Sequence, residues 1–455
     1  MTASLDSLIQ LRQNSLSGGS FDGQTDWIDA LRRDALGCFK EQGVPTRRLE
    51  AWKGTNFGPL SAMQFTRVGP GPTPIDQRNE DIDGNGPLLV FVDGHFDAAA
   101  SRLIELPEGL RARSLAEVLE NEPELVEGRL SALTDFKIQP FVALQTAFLS
   151  DGAVITVAPG RQFELPIRLR FLSTSETATP EANSASFPRL LVIAGEGSSL
   201  KLIQEHVSID SAPGFTAYVA EFHLAENSTV ESLEVQAEDA TRIHFTSVHA
   251  HLERSATFDS HVISVGNGLA RSELSIILAE PDAETKLCGL FMGRGKAHLD
   301  HFTTVDHAAE RCTSDEEYRG VLDDQSKGVF RGRVHVRPGA QKTDAKQSND
   351  NLLLSDHATI DTKPQLEIYA DDIRASHGST IGQLDADALF FLAARGIDPD
   401  DAKRLLTGAF VRGVVERIES KELRRIASNY VDATLRELKG SPIRQSDFLT
   451  EAIKS

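Results

Sequence analysis

Cysteine is nearly absent from this chain. Its 455 residues include only Cys38, Cys288 and Cys312, and no two of them form a C-x-x-C pair. That excludes a disulfide framework and a self-contained cysteine metal site, and it fits a reducing, cytoplasmic setting. Large aromatics are scarce too, with four Tyr and two Trp, too few to floor a sugar-binding groove. Basic charge is in deficit: 47 Lys and Arg against 67 Asp and Glu leave a formal net charge of −20. Such a balance suits neither nucleic acid nor an anionic membrane surface. No apolar run approaches the length of a bilayer span. Met1 to Asn14 has no basic segment followed by an apolar one, so no secretory signal is expected. Walker, G-x-G-x-x-G and H-E-x-x-H motifs are missing, which removes the local signatures of nucleotide hydrolysis and zinc proteolysis.

What is present is a 40% hydrophobic chain with material for one large domain or two to three ordinary ones. From Leu5 to Phe39 apolar residues recur at helical spacing, with Trp27, Ile28, Leu31, Ala35, Leu36 and Phe39 on one face and a break at Ser17-Gly18-Gly19-Ser20. Pro45-Thr46-Arg47-Arg48-Leu49-Glu50-Ala51-Trp52-Lys53 follows. It reads either as a nucleotide or phosphate clamp or, preferred here, as a buried Trp52 with its charged neighbours paired around it. Residues 66–86 read as a loop, Leu88 to Asp93 as a strand and Ser114 to Leu130 as a helix.

From Phe141 to about Thr380 short apolar runs dominate, such as Val154–Val157, Leu190–Ile193 and Val230–Val235. A phrase of turn residue, small residue and alternating apolar positions returns at Gly195–Leu200, Glu226–Val230, Glu253–Phe258 and Gly295–Leu299. No helix of useful length is expected between these runs, which excludes a sheet built through helical crossovers. A sandwich of hairpins and a solenoid of stacked coils both remain, and the repeated phrase favours the solenoid. Ser173 to Ser186 reads as a polar loop. Beyond Leu384 three amphipathic helices are expected to form a compact bundle, with Gly396 as a C-terminal cap and Asp398-Pro399 opening the next helix. Leu389 to Leu392 are apolar in succession, more than one helix face needs, so core packing and partner docking both stand for Phe390 and Phe391.

Thirteen histidines are present. His249 and His251 share a strand face, which suits metal ligation, but the alternation equally describes a solvated face, and that reading is preferred. Asp300-His301 and Asp306-His307 invite the same comparison. The acidic pairs Asp323-Asp324 and Asp371-Asp372 keep a polysaccharide-acting β-helix enzyme as an alternative. His377, expected just after a strand and ahead of a helix, has small neighbours in Ser376 and Gly378. It is the histidine best placed to meet iron or zinc, although from the residues alone a plain surface histidine is the preferred reading.

Several of these stretches together resemble the SufB/SufD family of iron–sulfur cluster assembly proteins. They are Pro45–Lys53, Leu144–Phe148 with Asp151-Gly152, Gln347–Ser355, Ile360–Pro364, Ser376–Gly378 and Leu389–Ile397. The resemblance implies a mainly β protein with a parallel β-helix (β-solenoid) core over 141–380. That core would be flanked by an N-terminal helical or mixed domain (1–140) and a C-terminal helical domain (381–455), with Leu144–Phe148 opening the core as a strand. It implies a non-catalytic subunit that pairs end to end with SufB through Asn349, Asn351, Asp361, Lys363, Ser376 and His377. It implies that the SufC ATPase docks on Leu389, Phe390, Phe391, Leu392, Arg395, Gly396, Ile397 and Phe410, with a second SufC on SufB. ATP-driven SufC dimerisation would then strain the pair, and a transient iron or nascent cluster would form at the interface beside His377. Family members of the SufD type commonly carry Cys where this chain has Ala375, and no cysteine follows Cys312. Clusters are held by thiolates, so this chain is expected to hold none stably by itself, and SufB or sulfide would supply the sulfur. A purely architectural partner of SufB and a homodimer of the isolated chain are the remaining expectations.

Overall fold

The phrase that repeats through the middle of the chain is a corner. In the computed structural model, Gly197, Asn227, Ser255, Asp282, Arg311 and Lys342 all adopt positive φ, between 52° and 66°. Each marks the same bend in successive coils. The amide of Gly197 donates to Glu226 O (2.8 Å), that of Asn227 to Arg254 O (2.9 Å) and that of Arg311 to Gln341 O (2.8 Å), so each corner is hydrogen-bonded to the next. The residue after the bend is small and buried every time: Ser198, Ser228, Ala256, Ala283, Cys312 and Thr343. A larger side chain would have no room between stacked coils. Cys312 is therefore one step of a packing column, with its thiol donating to Glu280 O at 3.3 Å.

The structure describes residues 2–17, 26–66, 86–103, 106–174, 183–209, 211, 213–266 and 268–438. The expected break at 18–20, most of the loop expected over 66–86 and the centre of the loop expected over 173–186 lie outside them. Strands alternate between two sheets, so each coil adds one strand to each sheet. Ser199, Thr229, Thr257, Glu284, Thr313, Asp344 and Arg374 stand in parallel register across seven successive coils of one sheet. This is a parallel β-solenoid with a repeat of about 30 residues, within the range of such architectures. Strands ahead of position 141 already belong to it. Leu88–Val92 pairs in parallel with Ile167–Ser173, and Leu110–Ser114 pairs antiparallel with Gly152–Val157.

Both outer sheet faces are covered. On one, the helices Leu5–Ser17, Asp26–Gln42 and Pro140–Phe148 bury an aromatic cluster that includes Trp52, Phe57, Phe141, Phe215 and Phe245. On the other, the helices Pro399–Val415 and Lys421–Glu437 lay Val411, Val414, Ile426 and Val431 over Ile203, Leu233, Ile263 and Leu290. Strands buried on two faces lose the polar alternation of a half-solvated strand.

The structure corrects several sequence expectations. Leu144–Phe148 lies in the helix Pro140–Phe148, not in a strand. Its Gln145 and Thr146 accept hydrogen bonds from the buried Arg189, which also pairs with Glu221 at 2.8 Å. The helix expected over Ser114 to Leu130 stops at Asn121. The C-terminal helices do not form a bundle around one another: two lie on the sheet, while the short helix Ala386–Ala393 buries none of its residues. Of the two histidines read as a solvated face, His249 is buried and His251 half-buried, and His206, His244, His261, His301 and His307 are buried as well. The expected caps are present. Gly396 has φ 84°, and the Asp398 carboxylate accepts from Asp400 N at 2.9 Å.

The solenoid interior mixes apolar columns with buried polar chains. Glu316 is buried there, where it accepts from Thr303 Oγ1 (2.5 Å) and Gln347 Nε2 (2.7 Å). Burial outweighs these two donors and pushes its carboxyl up to about 7. The folded state therefore keeps a proton that the unfolded chain releases near the ordinary carboxyl pKa of about 4.5. This contribution is complete below about pH 4.5 and is lost as pH rises through about 7, on the order of 3 kcal/mol in all. Glu316→Gln, which removes the titration, should flatten the fall in unfolding free energy between pH 5 and 8 measured by chemical denaturation. Equal slopes for the two proteins would contradict this assignment.

Candidate functional site

The last coil ends in two strands, Thr359–Ile368 and Arg374–Gly382, each the terminal member of its sheet. Each is paired on its inner side alone among the described residues, with Lys327–Val336 and Asp344–Leu353 respectively. Their outer rows of backbone N–H and C=O groups face outward, as a template for a further strand. The other end of the solenoid is closed differently, by the antiparallel pairings of Leu88–Val92 with His95–Phe96 and of Leu110–Ser114 with Gly152–Val157.

Asp361, Lys363, Ser376 and His377 are exposed on this edge. His377 lies inside the strand Arg374–Gly382 rather than between a strand and a helix, which corrects its expected position. It pairs in register with Gln347, whose side chain turns inward to Glu316. His377 therefore belongs to the inward-facing row at the mouth of the solenoid. Asn349 and Asn351 lie one coil deeper and are buried. Asn351 Nδ2 donates to Asn349 Oδ1 (2.7 Å) and to Thr380 O (3.1 Å), and Thr362 Oγ1 donates to Asn349 Oδ1 (2.8 Å). The two asparagines thus tie the last coil to the one beneath it and hold the edge in shape. Tyr369 and Ile381, each more than half exposed, add apolar surface to the edge that the sequence reading did not single out.

The segment Pro45–Lys53 braces the outside of these coils. Trp52 is buried, with the Arg271 guanidinium 4.1 Å from its ring centroid. Lys363 Nζ donates to Glu50 Oε1 at 3.3 Å, and this contact lowers the Glu50 carboxyl. Arg331 donates to Glu50 O and stands 3.9 Å from Asp361, while Arg47 donates to Lys53 O. These contacts match the structural reading of the motif. Asp361 and Lys363 are thereby held on the outward row of the edge, away from His377.

Around the next turn of chain, Phe390 and Phe391 project from the helix Ala386–Ala393 with 75% and 54% of their surface exposed. The Arg395 guanidinium covers the Phe391 ring at 3.3 Å, and Gly396 ends the turn. Leu389, Leu392 and Ile397 are half-buried beside them. A cleft of about 530 Å³ lies behind Phe390, lined by Leu354, Leu384, Leu389, Pro399 and Lys403. Phe410 is separate from this patch: it is half-buried beneath Arg319, which lies 5.2 Å from its ring.

Among the described residues, one group of three side chains lies close enough to share an ion, and it does not include His377. It is His206, Glu234 and His244, inside the solenoid. Nothing in the sequence distinguishes these three from other strand residues, because the inward face of a doubly buried strand carries no periodic signature. The thiols are remote from the edge in character. Cys288 is buried, which pushes its pKa up to about 12, and Ala375 occupies the position preceding Ser376.

Two family models cover nearly all of the described chain. Residues 176–410 match the SUF system FeS cluster assembly SufBD core domain, and residues 6–169 match the SufBD protein N-terminal region. An iron–sulfur cluster assembly SufBD family protein of Synechocystis is 28% identical over 395 residues, spanning 85% of each chain. The iron–sulfur cluster assembly protein SufD of Escherichia coli is 29% identical over 383 residues, spanning 84% of this chain and 87% of its own. SufD of Bacillus subtilis is 23% identical over 409 residues, 86% of this chain and 90% of its own. With a core model that covers more than half of its length and a solenoid of the expected kind, the chain belongs to the SufBD family of iron–sulfur cluster assembly proteins.

Proposed function

We propose that the chain is a SufD-type, non-catalytic subunit of the Suf assembly complex, working in the cytoplasm. The observation that carries this reading is the open final coil. It is a two-strand edge braced from outside by Glu50 and from beneath by Asn349 and Asn351, with His377 at its mouth. In this reading the edge receives the matching edge of SufB, and main-chain pairing supplies the bulk of the contact. Asp361, Lys363 and Ser376 flank the contact. In the absence of SufB the same edge pairs with a second copy of the chain. The relatives' descriptions as assembly proteins argue against the polysaccharide-acting alternative.

His377 offers an imidazole nitrogen to a transient iron or nascent cluster, while SufB or sulfide supplies the sulfur ligands. The helix Ala386–Ala393 receives SufC. Its exposed Phe390 and Phe391 fit the aromatic anchors of an interface, and the neighbouring cleft leaves room for a partner side chain.

Co-expression with SufB and SufC, followed by purification and iron and sulfide analysis, tests the reading as a whole. A three-component complex is expected. Phe390→Ser combined with Phe391→Ser should leave the stability of the chain within about 0.5 kcal/mol, because both residues are exposed. The same double variant should weaken SufC binding at least about tenfold in calorimetry, with SufB still retained. Undiminished SufC binding would place the dock elsewhere. His377→Ala should assemble normally and yield a complex with less iron and sulfide. Unchanged content would leave the subunit as an architectural partner only.

A further inference from the structure

We propose that His206, Glu234 and His244 form a binding site for one divalent transition-metal ion, buried between the two sheets of the solenoid. One ligand atom from each residue lies within 4.8 Å of the other two, and all three side chains are buried. The residues come from three strands: His206 from Ser199–Ser208, Glu234 from Thr229–Ala237 and His244 from Arg242–Leu252. The first two strands belong to one sheet and the third to the other, so a shared ion bridges the sheets across the interior.

The orphaned nitrogens of His206 point to a ligand. Its ring is fully buried, and neither Nδ1 nor Nε2 has a hydrogen-bond partner. The ring stacks on Phe171, with centroids 4.7 Å apart and planes 8° apart, and meets His244 edge-on at 4.9 Å. Packing alone would be served by a phenyl ring, without two polar atoms buried and unpaired with any protein group.

His244 is already oriented as metal-binding histidines are. Its Nδ1 contacts Glu238 Oε2 at 2.5 Å, and Glu238 is itself held by Ser173 Oγ (3.1 Å), Thr216 Oγ1 (3.0 Å) and Arg242 Nε (3.2 Å). A carboxylate behind the ring fixes the tautomer and leaves Nε2 for the ion. That nitrogen faces Thr246 Oγ1 at 2.7 Å, and Thr246 Oγ1 also reaches Glu234 Oε1 at 3.0 Å. The threonine hydroxyl thus links two of the ligands and would yield to an ion placed between them. Coordination at roughly 2.1 Å spaces ligand atoms about 3–3.5 Å apart, so modest side-chain rotation closes the set. Two imidazoles and one carboxylate, without thiolate, suit Fe(II) or Zn(II) and disfavour Mg(II) and Ca(II). The site stands apart from the solenoid mouth and uses no partner chain.

The test is an anaerobic titration of the full chain with cobalt(II), read by d–d absorption and by elemental analysis after desalting. It is run on native protein and on protein refolded with the metal present, because the site is sealed. One cobalt per chain is expected in at least one preparation, with a higher Tm. His206→Phe should keep the stacking on Phe171 and weaken binding about 100-fold or more. Glu234→Gln, closest in shape to the native side chain, provides a second variant if His206→Phe does not fold. His377→Ala should bind cobalt like the wild type. The proposal is overturned by the absence of stoichiometric cobalt in both preparations, by binding that both interior variants retain, or by binding that depends on His377.

Discussion

A parallel solenoid consumes its own edges. Each strand satisfies the outward backbone groups of the strand before it and presents a new row to the strand after, so the hydrogen-bonding demand is passed along the stack until something stops it. Here the two ends stop it in different ways. Antiparallel strands near Leu88–Val92 and Leu110–Ser114 close the first coils. After Arg374–Gly382 the chain leaves the sheets and turns into the helix Ala386–Ala393, and both last strands keep an unpaired outer row among the described residues. The asymmetry accounts for the placement of the rest: helices cover the two broad faces, while the N-terminal brace and the asparagine pair stiffen the open end.

That stiffening is needed because an isolated terminal coil has neighbours on one side only. Glu50, Arg331 and Lys363 link the N-terminal segment to the last coils from outside. Asn349, Asn351 and Thr362 link them from inside. An edge held this firmly loses little conformational entropy on pairing, which favours strand addition by a partner of matching shape. The polar interior extends from Glu316 through Gln347 toward His377, so the mouth of the solenoid continues the buried chemistry behind it.

The coil architecture was legible in the sequence because its corners are. Positive φ brings Gly, Asn, Ser and Asp to most of the corners, with Arg311 and Lys342 in the later coils, and tight stacking keeps the residue after each corner small, which gave the recurring phrase at Gly195, Glu226 and Glu253. The caps at Gly396 and Asp398 were legible for similar local reasons. Side-chain direction was not. A strand covered on both faces shows no two-residue period, so His206, Glu234 and His244 gave no sign of converging, and His249 looked solvated although it is buried. Leu144–Phe148 suggested a strand by its resemblance, yet Pro140 opens a helix there, and tertiary anchoring through Arg189 holds it. Asn349 and Asn351 were legible as part of the last-coil motif, but their burial one coil down follows only from the stacking register.

The claim at the centre of this account is that the final coil is an edge awaiting a partner strand. Hydrogen–deuterium exchange on the chain alone and in complex with SufB tests it most directly. Strand addition predicts that the outward-facing amides of Thr359–Ile368 and Arg374–Gly382 exchange quickly in the free chain and become protected in the complex, while the capped strands near Leu88–Val92 are unchanged. A stable complex in which both terminal strands exchange as fast as in the free chain would contradict it.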